Sequence, residues 1–166
     1  MALFDGRAYE EVEADTGATG QAAAIVIVAS TAVAFAWSPG PLPVDAVLVT
    51  AAAGVAAWLS WAALTYLIGV HWMPEPHTRA TWGELARTLA FSASPGVLLA
   101  AGVIDGIRPI VMTVVPGWML VTMLLAVRHA LDYRSLGRAV GVCLAGWGVA
   151  FAVFAAFGLW FAPVVR

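Results

Sequence analysis

Five apolar runs, at residues 21–37, 44–70, 84–104, 110–127 and 139–162, fill most of this chain, and short breaks rich in proline or charge separate them. About 20 apolar residues in an α-helix cross roughly 30 Å of hydrocarbon. The expected fold class is therefore all-α: a polytopic membrane protein with five transmembrane helices in one bundle. Composition agrees, with 62% hydrophobic and 11% charged residues, against roughly 45–50% and about 25% in a soluble domain. One such bundle uses the 166 residues without a second domain.

The breaks define the organisation. Residues 1–20 form an acidic N-terminal segment, with Asp5, Glu10, Glu11, Glu13 and Asp15 against Arg7. That is the reverse of a cationic signal-peptide start, so the first run is expected to stay as an anchor. Residues 21–166 are the five-helix membrane domain. Ser-Pro-Gly-Pro-Leu-Pro at 38–43 makes a tight hairpin, because prolines lack donors and restrict their neighbours. Residues 71–83 hold Trp72, Pro74, Pro76 and Trp82 and read as an interfacial loop. Inside the third run, Pro95 and Gly96 predict a kinked or broken helix; a re-entrant third segment, leaving four spans, is the alternative. Residues 105–109 form a turn, and 128–138 a charged connector that is expected to be largely helical.

Arginine placement sets the orientation. With five spans, Arg7, Arg79, Arg87, Arg128, Arg134 and Arg138 fall on one side, and Arg108 and Arg166 on the other. Positive-inside logic puts the first group in the cytoplasm, with the N-terminus inside and the C-terminus outside. All eight cationic side chains are arginine, which with abundant Ala, Gly and Val points to a GC-rich bacterial genome and so to a bacterial cytoplasmic membrane.

Chemistry-bearing constellations are sparse. A net charge of -2 without a basic run sets nucleic acid aside as a partner. Cys143 is the only cysteine, so an intramolecular disulfide and a thiolate cluster are excluded. His71, Glu75 and His77 lack HExxH spacing and sit in a proline-interrupted loop. Asp105-Gly-Ile-Arg108 begins like an aspartate-rich transferase motif, yet the next acid is Asp132. Ser60, Ser92 and Ser94 have no histidine at their depth. The expectation is a protein that is not an enzyme, with no cofactor and no metal. Nearly bare spans also weigh against ion conduction, although a small-molecule or ion permease stays as the second reading.

Small residues speak for helix contacts. Gly137, Gly141 and Ala145 recur every four residues, as do Gly102 and Gly106, a spacing that permits close backbone approach. Gly141 is expected against another helix, serving internal packing, a homodimer or another membrane protein. Asp132 ends the fourth span beside a negative helix terminus, so a pairing with Arg128 or Arg138 is expected there.

Two stretches carry a family likeness: Arg87-Thr-Leu-Ala-Phe-Ser-Ala-Ser-Pro95-Gly96, and Trp118-Met-Leu-Val-Thr-Met-Leu-Leu-Ala-Val-Arg128-His-Ala-Leu-Asp132-Tyr133, continuing through Gly137-Arg138 to Cys143. A weaker match lies at Tyr9-Glu10-Glu11-Val12-Glu13. They resemble the bacterial branch of the Yip1 family of multi-pass membrane proteins, with departures at Ala90, Ser92 and His129. The resemblance implies a five-helix domain with a cytoplasmic N-terminus, no cofactor and no reaction. It points to a non-enzymatic scaffold or organiser that meets membrane lipids and other membrane proteins, with Arg87, Pro95, Gly96, Arg128, Asp132, Tyr133, Gly137, Arg138 and Gly141 as structural or interaction residues.

Overall fold

The computed structural model describes residues 11–12, 15–38 and 41–161, with the side chains of the last helix described through 149 and at 152. Tyr9 and Glu10, the centre of the first hairpin at 39–40 and the end of the chain at 162–166 lie outside the described residues. All regular structure among the described residues is helical. A 3-10 turn at Thr16–Ala18 leads into α1, Thr19–Trp37; α2 is Val44–Tyr66 and passes directly into a π-helical turn, Leu67–Trp72. Next come α3, Trp82–Ser92, a 3-10 segment, Ser94–Val103, then α4, Arg108–Ala130, and α5, Leu136–Phe161. Thr16–Trp37, Val44–Trp72, Trp82–Val103 and Arg108–Ala130 are each long and apolar enough to cross a membrane.

Local chemistry sets the ends. At α3 the Thr81 hydroxyl accepts from Glu84 N at 3.3 Å while the Glu84 carboxylate accepts from Thr81 N at 2.7 Å, a reciprocal cap for two otherwise orphan donors. Helix α4 opens on Arg108-Pro109, where a missing N–H costs nothing. The charged connector proves shorter than expected: α4 runs on to Ala130, and only the residues up to Ser135 leave the helix before α5 begins.

Helix α1 buries Ala22, Val26, Ala29, Ala32 and Ala36, one stripe of mostly small residues facing the third segment. A Cβ added at Gly96 would lie 3.3 Å from Ala29, and one at Gly102 3.5 Å from Ala36. Smooth faces of this kind bring backbones close without relying on water as a driving force. Crossing α1 and α2, Gly54 is so near Ser30 that any Cβ would overlap it.

The largest core lies where α2, α3, α4 and α5 meet, with Ile68, Leu85, Val127, Leu131 and Val142 fully buried. Smaller clusters form around Val26 with Ala90, and around Leu99 with Val115. Large apolar side chains such as Ile27, Leu48, Val49, Ile110 and Leu144 point outward. Such a surface suits lipid and is far too apolar for water.

Candidate functional site

The described polar groups gather mainly at the end of the bundle where the π turn, the 73–81 loop and the α4–α5 turn meet. The π turn creates a need there. Met73 N bonds Ile68 O at 2.8 Å, and Pro74 has no N–H, so Gly69 O lacks a donor from its own helix. Tyr133 fills the gap from across the bundle, its hydroxyl 2.9 Å from Gly69 O and 2.7 Å from Met73 O. Leu131 lies against Gly69 so tightly that a Cβ there would overlap its side chain. Burial pushes the Tyr133 phenol up to about 12; Arg138 opposes this and Glu75 adds to it.

The backbone that delivers Tyr133 is a Schellman turn. Tyr133 N bonds Arg128 O at 2.9 Å and Asp132 N bonds His129 O at 3.0 Å, while Asp132 adopts a left-handed φ of 53°. Asp132 is therefore a helix stop. It is exposed and does not pair with Arg128 or Arg138, correcting the ion pair expected from the sequence. Arg138 meets Glu75 instead, Nε to Oε1 at 3.4 Å, and donates to Pro74 O at 2.9 Å. Glu75 Oε2 also accepts from Arg134 N at 3.0 Å. Arg128 turns back on its own helix end, with Nε 3.3 Å from Tyr133 O and Nη2 3.5 Å from Arg134 O. In this arrangement the carboxylate that counts is Glu75, which spacing alone had offered only as a weak metal ligand. His71 packs edge-on to Tyr66 at 5.5 Å, and among the described residues no three His, Cys, Asp or Glu side chains converge as a metal site needs.

A second backbone break is mended in the same way. After α3, Gly96 N bonds Ala93 O at 2.9 Å and Pro95 has no N–H, so Ser92 O has neither of its usual helical donors. The buried Thr122 hydroxyl of α4 reaches Ser92 O at 2.8 Å, shorter than its contacts to Trp118 O and Met119 O in its own helix. Trp58 Nε1 ties α2 to α3 through Ala86 O at 2.8 Å. Arg87, only 7% exposed, donates from Nε to Val12 O at 3.2 Å and so holds the chain before α1 against α3.

The glycine stripe on α5 divides. A Cβ at Gly141 would lie 3.1 Å from Met73 Cε, whereas Gly137 is exposed and meets only Ser135 Oγ at 3.4 Å. Gly141 thus faces the loop after α2, and the neighbouring Val142 is 1% exposed in the core. Thr122 and Gly69 escaped the sequence reading, and Glu75 was read there only as a weak metal ligand. A threonine one span away from a Pro-Gly pair was the available signal for Thr122; the π turn that makes Gly69 matter has no sequence mark.

Mid-bundle, a cavity of about 400 Å³ open on one side is lined by Val26, Ser30, Gly54, Trp61, Met119 and Trp147 among others. Its wall is overwhelmingly apolar, and Trp61 stands edge-on to Trp147 with ring centres 6.4 Å apart. A groove of about 290 Å³ between α4 and α5 adjoins it, sharing Leu120, Met123 and Trp147. No family model, no characterised protein and no solved structure matches this chain.

Proposed function

We propose that this protein is a non-enzymatic integral membrane scaffold of the Yip1 type, with five spans, a Pro-kinked third helix, a cytoplasmic N-terminus and an external C-terminus. One observation carries the reading: the side chains of Tyr133, Thr122, Arg138, Arg87 and Trp58 all donate to main-chain carbonyls of other segments. Their chemistry goes into fixing helices to one another, as a scaffold requires. In this reading α5 would supply the fifth span, and the change from α to 3-10 backbone at Ala93 supports the kink. Of the arginines among the described residues, all but Arg108 lie towards the end that carries the Tyr133 cap, which supports placing that end in the cytoplasm.

The central cavity favours the second reading, a permease, since a cavity of about 400 Å³ falls within the range of small-molecule sites, about 300–1,000 Å³. Two measurements on the full chain separate them. Cross-linking in bacterial membranes followed by mass spectrometry is expected to give a reproducible membrane-protein partner, and liposomes holding the purified chain are expected to leak no faster than empty ones. Solute flux without a partner makes the permease the better account.

A further inference from the structure

The seam between α4 and α5 holds a groove that its own side chains leave unfilled. We propose that it binds one acyl chain of an anionic phospholipid from the leaflet on the Tyr133 side, with the lipid phosphate at Arg128; this rests on the five-span reading above. Leu120 and Leu124 line the groove from α4, with Arg128 four residues further along the same helix towards Tyr133, while Val140, Leu144 and Trp147 form the opposite wall. The rise from Arg128 to Leu120 is about 12 Å, close to half of the roughly 30 Å hydrocarbon thickness. A chain descending from a phosphate at Arg128 therefore reaches the bilayer centre inside the groove, where the larger cavity continues it past Met123 and Trp147. Water gains almost no partners on these walls, and at that depth the available occupant is hydrocarbon.

Charge selects the headgroup. Tyr133 O and Arg134 O take two of the Arg128 N–H groups, which holds the half-buried guanidinium at the α4–α5 turn, one helical turn beyond Leu124, and leaves the rest of its five donors for phosphate oxygens. Arg134 is exposed alongside it. Glu75 pairs with Arg138, so Arg128 and Arg134 against the exposed Asp132 leave this end of the seam with one positive charge in excess.

The test takes the full chain from vesicles of equal phosphatidylglycerol and phosphatidylcholine into mild detergent and counts bound lipid by native mass spectrometry. The expected result is one lipid per chain, with phosphatidylglycerol favoured about fivefold, as one arginine near an anionic surface supplies. Leu120→Trp, at a half-exposed position lining both cavities, is expected to abolish retention, while Val121→Trp, equally exposed but outside both linings, retains it. Arg128→Gln is expected to equalise the two lipids and Arg128→Lys to keep the preference, with helical circular dichroism confirming that each variant is folded. Equal retention by the two tryptophan variants, or a preference unchanged in Arg128→Gln, overturns the proposal. Labelling of the loops from either side of the membrane, scored separately, shows whether the five-span reading itself has failed.

Discussion

Tyr133 has one hydroxyl hydrogen, and two main-chain carbonyls share it. Removing it strands a buried acceptor, at a cost of about 1–3 kcal/mol, so Tyr133→Phe is expected to unfold in detergent at correspondingly lower denaturant. The same residue sets an alkaline limit. Its folded pKa is raised from 10.0 to about 12, so the neutral phenol is the form the fold favours. The stability this gives is whole below pH 10 and falls as pH rises towards 12, by about 2 kcal/mol. Unfolding curves for the parent and Tyr133→Phe should converge across that window; parallel curves would show that the phenol ionises freely. Asp132 makes a second prediction at this scale. A left-handed φ of 53° suits glycine and is tolerated by aspartate. Asp132→Gly is therefore expected to hold or raise the melting temperature, and Asp132→Val to lower it by the equivalent of about 1–2 kcal/mol; a loss on Asp132→Gly would restore a role for the carboxylate.

Two Pro-Gly pairs, at 95–96 and 116–117, look alike in sequence and behave differently as elements. Helix α4 continues through Pro116, while the α-helix before Pro95 stops at Ser92 and 3-10 backbone begins at Ser94. The surroundings differ as well: a Cβ at Gly96 would meet Met119 and Ala29 at 3.1–3.3 Å, whereas nothing lies within 4 Å at Gly117. Helix existence was thus legible from apolar length, whereas the different backbone at the two Pro-Gly pairs was not, since it goes with packing that the sequence does not reveal. Thr81-Trp-Gly-Glu84 did carry a readable capping signal, and attention to it moves the start of the third helix from 84 to 82. The Asp132 pairing failed because Glu75, distant in sequence, reaches Arg138 first. Thr122→Val is expected to cost about 1–3 kcal/mol by stranding Ser92 O, and Pro95→Ala, which restores a nearby N–H, to recover part of that in the double variant. Additive losses in that cycle would mean the two positions are uncoupled. On α5, Gly141→Leu must displace Met73 and is expected to cost about 1–3 kcal/mol, while Gly137→Leu, at an exposed position, is expected to be mild; equal unfolding midpoints would place Gly141 against lipid.

For the whole molecule, hydroxyls of α4 and its C-terminal turn repair the breaks left by Pro95 and Pro74, which lets an interrupted bundle keep its polar backbone satisfied without water. On the proposed scaffold reading, the cap around Tyr133, Glu75 and Arg138 is the polar face presented to a partner, and the arginines gathered there would set its direction. Side-selective labelling of single cysteines tests this most directly. In a Cys143→Ala background, Ser135→Cys sits in the α4–α5 turn and Asp105→Cys in the turn before α4, both at exposed positions. An impermeant maleimide is expected to label Asp105→Cys in intact cells and Ser135→Cys only in inverted vesicles. Labelling of both from the same side, or of Ser135→Cys from outside, contradicts the account.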